Sequence, residues 1–177
     1  MAMVMAAHSP ETWTAVSAWC GISDLAAWHR ETKAANRKYW HDIEAVVGGA
    51  PGSSPEVDRQ LRARSPLFSF ANVRNLPVDL NTGIDDGHSG SVPIHHTLDA
   101  FNALARILNA PPVTDEEIRA LAEKKTLPKR TKQDSSYGRK IWLRREAGRS
   151  RVTVFDGGHE DIPSAACKWL SEQEMAE

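Results

Sequence analysis

The chain has 177 residues, of which 22 are Lys or Arg and 23 are Asp or Glu, for a formal charge of −1. That balance offers no basic field to a phosphate backbone, so nucleic acid is not an expected partner. Hydrophobic residues make up 41% and charged residues 25%, proportions of a globular chain long enough to bury a core, and no apolar run approaches the roughly 20 residues of a membrane span.

Met1 to Ala7 reads as a short apolar helical stub with no N-cap residue ahead of it, as though the chain opened partway through a helix. Nothing in this stretch has the basic leader and long apolar centre of a secretory signal, and the compartment stays open. Trp13 to Cys20 is apolar, aromatic and β-branched, and is expected to form a buried strand. From Ser23 or Asp24 as N-cap, helical spacing runs to the Gly48-Gly49 stop, in one broken helix or two consecutive ones. A turn at 51–55 precedes a short polar helix, Glu56 to Arg64, closed by Ser65-Pro66.

Leu76 to Gly83 alternates moderately and suits a second strand ending in a polar loop. Between Thr97 and Leu108, the residues Leu98, Phe101, Leu104, Ala105 and Leu108 share one helical face. Asp115 to Lys125 is a further helical piece, with Thr114 and Glu117 spaced as a capping box. Lys124 to Lys132 is charged and broken by proline, and reads as a solvated excursion within an insertion spanning about 109–145. Arg151 to Phe155 is a third strand, and Ile162 to Glu172 a closing helix. Strands alternating with helices imply one α/β domain over 1–177, a mostly parallel sheet flanked by helices.

In such sheets the chemistry collects beyond the carboxyl ends of strands. Two loops there carry suitable groups: Asp85 and Asp86 after the second strand, and His159, inside Phe-Asp-Gly-Gly-His-Glu, after the third. A carboxylate that orients an imidazole and stabilises its protonated form makes that ring a general base for a hydroxyl nucleophile. Acid then histidine, each after its own strand, is the order used by α/β-hydrolases.

With those residues in view, the chain resembles the C-terminal portion of the prolyl-oligopeptidase-like serine hydrolases. Residues 1–28 are similar to the segment that family places after its nucleophile elbow; Arg64 to Asp86 resembles the approach to the acid, and Val154 to Glu160 the histidine loop. The resemblance implies an α/β-hydrolase fold truncated on its N-terminal side, with Asp86 as acid, Asp85 as fallback, and His159 as base. It departs from the family where Gly87 to Ser91 delays Val92-Pro93.

The Gly-x-Ser-x-Gly elbow does not occur; the nearest string, Gly87-His88-Ser89-Gly90-Ser91, lacks the final glycine and follows the acid. The expectation is therefore a serine peptidase or carboxylic (acyl) esterase portion, inactive alone, whose substrate when completed is a small ester or a peptide. A non-catalytic binding or interaction module derived from that fold is the alternative, and an unrelated α/β protein with a coincidental Asp-His match is a third reading. Missing strands would leave an open sheet edge suited to self-association or a partner chain.

No cofactor and no metal site is expected. His88, His95 and His96 read as surface or loop histidines without a third ligand at fixed spacing, and His29 and His41 as solvent-facing. Trp13, Trp19 and Trp28 are assigned to the core, Asp24 to capping its helix, and Cys20 and Cys167 to two buried free thiols.

Overall fold

A computed structural model of the chain describes residues 1–73, 76–124 and 131–174. Among these, four strands form one mixed sheet: β1 (Val16–Trp19), β2 (Val78–Gly83), β3 (Ile141–Ala147) and β4 (Ser150–Phe155), in the spatial order β1-β2-β4-β3. β1, β2 and β4 run parallel, with Val16 beside Val78 and Asp79 beside Arg151. The three parallel strands are those expected from the sequence, each with boundaries moved by up to three residues.

β3 is a correction. It falls at the end of the stretch assigned to the insertion, yet it pairs antiparallel with β4 through a tight turn at Gly148, with a register shift between Ile141 and Leu143. Its burial pattern, Ile141, Leu143 and Ala147 buried with the charged run Arg144-Arg145-Glu146 between them, explains why it reads as a loop. Charges at an edge strand hide a half-buried pattern. The solvated reading of Lys124 to Lys132 falls mostly on 125–130, which lie outside the described residues.

Seven α-helices flank the sheet among the described residues: α1 (Ala2–His8), α2 (Leu25–Ala34), α3 (Tyr39–Val47), α4 (Pro55–Ala63), α5 (His95–Ile107), α6 (Asp115–Ala122) and α7 (Pro163–Ser171). Local chemistry sets their ends. Asp24 caps α2 by accepting from the N–H groups of Ala26 and Ala27, Ser54 caps α4, Thr114 and Glu117 form the full capping box of α6, and Gly48 closes α3 in the left-handed conformation. None of the helices is long and apolar enough to cross a membrane.

The two faces of the sheet differ. On one, Val16, Ala18, Val78, Leu80, Val152 and Val154 pack against α1 and α5, burying Leu98, Phe101 and Leu104 completely. The other face is polar at its centre. Asp79, wholly buried, accepts from Arg151 Nε (2.7 Å), Ser17 Oγ (2.9 Å) and Asn81 Nδ2 (2.8 Å), and Asn81 in turn accepts from the Tyr137 hydroxyl. A buried carboxylate is tolerated because every face of it is paired. Around the network, Trp19, Tyr137 and Phe155 pack ring against ring under α7. The moderate alternation of Leu76 to Gly83 is this network seen from the sequence.

A second, smaller core joins α2, α3 and α4 through Trp28, Ile43, Val47, Val57 and Leu61, and takes in Val92 from the loop after β2. Three sequence readings are corrected here. His29 is buried, with Nε2 donating to Glu44 Oε1 at 2.8 Å, because α3 folds back over it; Trp13 lies exposed ahead of β1; and Cys167 sits on the outer side of α7. His41 is exposed, Trp28 is buried and Trp19 is half-buried.

Candidate functional site

Asp86 and His159 meet at the carboxyl ends of β2 and β4. Those strands are adjacent, and their pairing continues past the last residue of β2: Ile84 N–H donates to Phe155 O (2.8 Å), and Asp85 N–H to Gly157 O (2.9 Å). The two loops thus leave the sheet side by side. Gly83 makes this possible, since a Cβ there would overlap the backbone of Gly157 and Gly158. Gly90 does the same higher in the loop, where a Cβ would fall on the Asp86 carboxylate and the His159 Cβ.

His159 Nδ1 lies 2.9 Å from Asp86 Oδ2. The other carboxylate oxygen, Oδ1, accepts the backbone N–H groups of Gly87 (3.0 Å) and Val92 (3.1 Å). Asp86 is buried, whereas the His159 side chain keeps 46% of its surface. An ionised carboxylate only accepts, so Nδ1 carries the proton and Nε2 holds a lone pair. No hydrogen-bond partner meets Nε2 among the described residues. The arrangement can take a proton from an acidic group placed at Nε2 and hold it as imidazolium against Asp86.

Asp85, the fallback acid, points elsewhere. Its carboxylate pairs with Lys124, and its carbonyl accepts from His88 N–H and Ser89 N–H. Ser89 bonds back to that same carbonyl through Oγ (3.3 Å) and makes no bond to His159. It is therefore a loop-stabilising hydroxyl in this structure.

Cys20 is a neighbour that the sequence reading missed. It follows β1, one strand further along the sheet, in a left-handed conformation (φ 50°) uncommon for a side-chain-bearing residue. Its Sγ, an Asp86 oxygen and a His159 ring nitrogen lie within 4.8 Å of one another. The thiol donates to Glu160 O (3.4 Å) and, more weakly, to Gly158 O (3.8 Å). Burial first, and then the negative charge of Asp86, push its pKa up to about 11. A thiol held protonated in this way is a weak donor and not a ready nucleophile. Position at a parallel strand's carboxyl end was the available clue, outweighed by the apolar context of Cys20.

The acid loop is clamped from outside by α2 and the turn after it. Trp28 Nε1 donates to Ser91 O (2.9 Å), Arg37 Nη1 donates to Gly90 O (2.7 Å), and Val92 enters the helical core. The inserted Gly87 to Ser91 is thus ordered by named contacts.

His88, His95 and His96 separate. His88 is exposed and reaches Ala122 O, as a surface histidine would. The other two are corrected: His96 is fully buried and His95 half-buried at the start of α5, and Glu31 of α2 joins them. Sequence spacing concealed this cluster because Glu31 arrives from 64 positions away.

No family model, curated protein or solved structure matches the chain.

Proposed function

We propose that this chain supplies the acid and the base of a Ser-Asp-His hydrolase site of α/β-hydrolase type, acting on a carboxylic ester or a peptide bond. The observation that carries the reading is the 2.9 Å contact of His159 Nδ1 with a buried Asp86, at the ends of adjacent parallel strands, with Nε2 left toward solvent. In the mechanism this geometry supports, Nε2 accepts the proton of a serine hydroxyl as it attacks the carbonyl. Asp86 stabilises the imidazolium, and the ring then gives the proton to the leaving group.

The serine comes from outside the described residues, on a strand lying beside β1. β1 pairs only with β2, so its second edge is open among the described residues, and a cleft of about 250 Å³ lined by Met1, Met3, Trp19, Ile22 and Leu25 runs beside it. A strand added there parallel to β1 would finish at the same end of the sheet as Cys20, Asp86 and His159. The truncated α/β-hydrolase fold belongs to this same proposal.

The experiment has two arms. Purified as it stands, the chain should turn over a p-nitrophenyl ester no faster than the buffer; robust turnover lost in His159→Ala would overturn the need for an outside serine. Extended by the residues encoded ahead of Met1, it should carry a Gly-x-Ser-x-Gly serine that reacts with a fluorophosphonate in a His159-dependent way. Lack of such a serine would sink the hydrolase reading. That outcome would favour the second one, a non-catalytic binding module, whose supporting observation is that no hydroxyl of the described residues meets Nε2.

A further inference from the structure

Away from the Asp86–His159 pair, two helices bring together a cluster that the proposed chemistry does not use. Glu31, on α2, presents both carboxylate oxygens to the first turn of α5: Oε1 lies 2.8 Å from His95 Nε2, and Oε2 lies 3.0 Å from His96 Nε2. The two imidazoles stack with centroids 4.4 Å apart, and both Nε2 atoms face the one Glu31 carboxylate. One atom from each of the three residues lies within 4.8 Å of the other two.

The outer nitrogens are held as well. His95 Nδ1 donates to Asp99 Oδ2 (3.0 Å), one turn along α5, and His96 Nδ1 sits 3.3 Å from Ser23 Oγ and accepts the Ser23 backbone N–H at a long 3.4 Å. Two rings whose Nε2 atoms converge, with His95 fixed through Nδ1 by a carboxylate and His96 Nδ1 lying within reach of the Ser23 hydroxyl, have outer support of the kind found around metal-bound histidines. Two imidazoles and one carboxylate are a three-ligand set for a borderline divalent ion, leaving the fourth position to water. Access exists from one side: the Glu31 and His95 side chains each keep 33% of their surface, while His96, at 1%, forms the floor.

The geometry points to a binding site for a divalent transition metal ion of the zinc class, formed by Glu31, His95 and His96. Binding replaces the two Nε2–H···carboxylate hydrogen bonds by metal–nitrogen bonds. His95 then keeps its Nδ1 proton on Asp99 and releases the Nε2 proton to solvent. His96 moves its proton from Nε2 to Nδ1, where Ser23 Oγ accepts it and the long bond from the Ser23 backbone N–H is given up. The ion would tie α2 to the start of α5, and so hold from behind the loop that carries Asp86.

Zinc alone, titrated calorimetrically into the whole, chelator-treated chain, is the test. One ion per chain should bind with a Kd of about 1 μM or below. Glu31→Gln and His95→Ala, both at partly exposed positions, should each weaken it at least about tenfold, and Asp99→Ala by roughly 10- to 100-fold. His88→Ala and Cys20→Ser should leave the affinity unchanged, which separates this cluster from a surface histidine and from the Cys20–Asp86–His159 group. Saturating zinc should also raise Tm of the unaltered chain but not of Glu31→Gln. Failure to bind at millimolar zinc, or an affinity that Glu31→Gln and His95→Ala leave intact, would overturn the assignment.

Discussion

The backbone N–H of Val92 donates to Oδ1 of Asp86 at 3.1 Å, so the loop that bears the acid folds back on its own carboxylate. With Gly87 N–H on the same oxygen, Oδ1 is fully engaged and Oδ2 is the one left for His159. The insertion between acid and Val92 therefore orients the carboxylate.

Asp86→Asn tests that orientation without changing shape. The amide keeps its oxygen on the two backbone donors and turns its NH₂ toward His159 Nδ1, which must then accept. The imidazole should switch to the Nε2–H tautomer, visible in the nitrogen-15 shifts of His159. In a completed enzyme this change should lower kcat by about 10⁴-fold, the cost of the wrong tautomer in a Ser-His-Asp triad. An unchanged tautomer would contradict the part given to Asp86.

The two thiols should differ sharply in reactivity. Cys167 is exposed, whereas Cys20 is buried with its pKa raised to about 11. With a disulfide exchange reagent at pH 8, one thiol per chain should react promptly and the second only on unfolding, since the thiolate is the attacking species. Prompt modification of both would show that the Cys20 environment is more open than its contacts indicate.

Stability should depend on pH through the Glu31 cluster. The hydrogen bond to Asp99, followed by the one to Glu31, raises His95 from 6.5 to about 9; burial opposes ionisation of Glu31, but the bonds from His95 and His96 outweigh it and bring its pKa to about 2. A raised histidine stabilises fully below its unfolded value and loses that contribution as pH rises through 9. The lowered carboxylate stabilises fully above 4.5 and loses its contribution as pH falls through 2. Both act fully between about 4.5 and 6.5. In metal-free buffer Tm should fall from pH 6.5 to 9, and His95→Gln should flatten that decline.

The polar face of the sheet gives a mutational prediction of larger size. Arg151→Ala leaves wholly buried Asp79 with only Ser17 and Asn81 as donors. Removing one partner of a buried ion pair costs about 3–5 kcal/mol, and the two remaining hydrogen bonds place this case at the lower end. Urea unfolding should show the loss as a lower midpoint at unchanged m-value. Asp24→Ala, which removes only the α2 cap, should cost about 1 kcal/mol.

Much of this was legible in residue order. Hydrophobic runs placed the three parallel strands, the caps at Asp24 and Thr114 set their helices, and strand-end position singled out Asp86 and His159. These signals are local: a cap, a period or a strand end is encoded within a dozen residues. What the strand pattern could not supply was adjacency. Whether the Asp86 carboxylate reaches His159 depends on β2 lying next to β4, and on Gly83 and Gly90 letting two backbones approach.

The remaining features required the third dimension. Cys20 looks like an apolar core thiol until β1 is placed beside β2, and His95 and His96 look like loop histidines until α2 brings Glu31 over them. His29 and Trp13 exchanged their expected places because burial depends on which element folds over a residue: α3 turns back over His29, and Trp13 is left exposed ahead of β1. β3 was hidden because a strand at a sheet's edge needs only half its residues inward, and the charges on its other half imitate a loop. Residue order alone determined the three parallel strands, the capped helices and the two groups of the proposed acid–base pair. Their environment, and every contact made across sixty or more positions, was decided by packing, since the contact energies depend on spatial neighbours that no local pattern records.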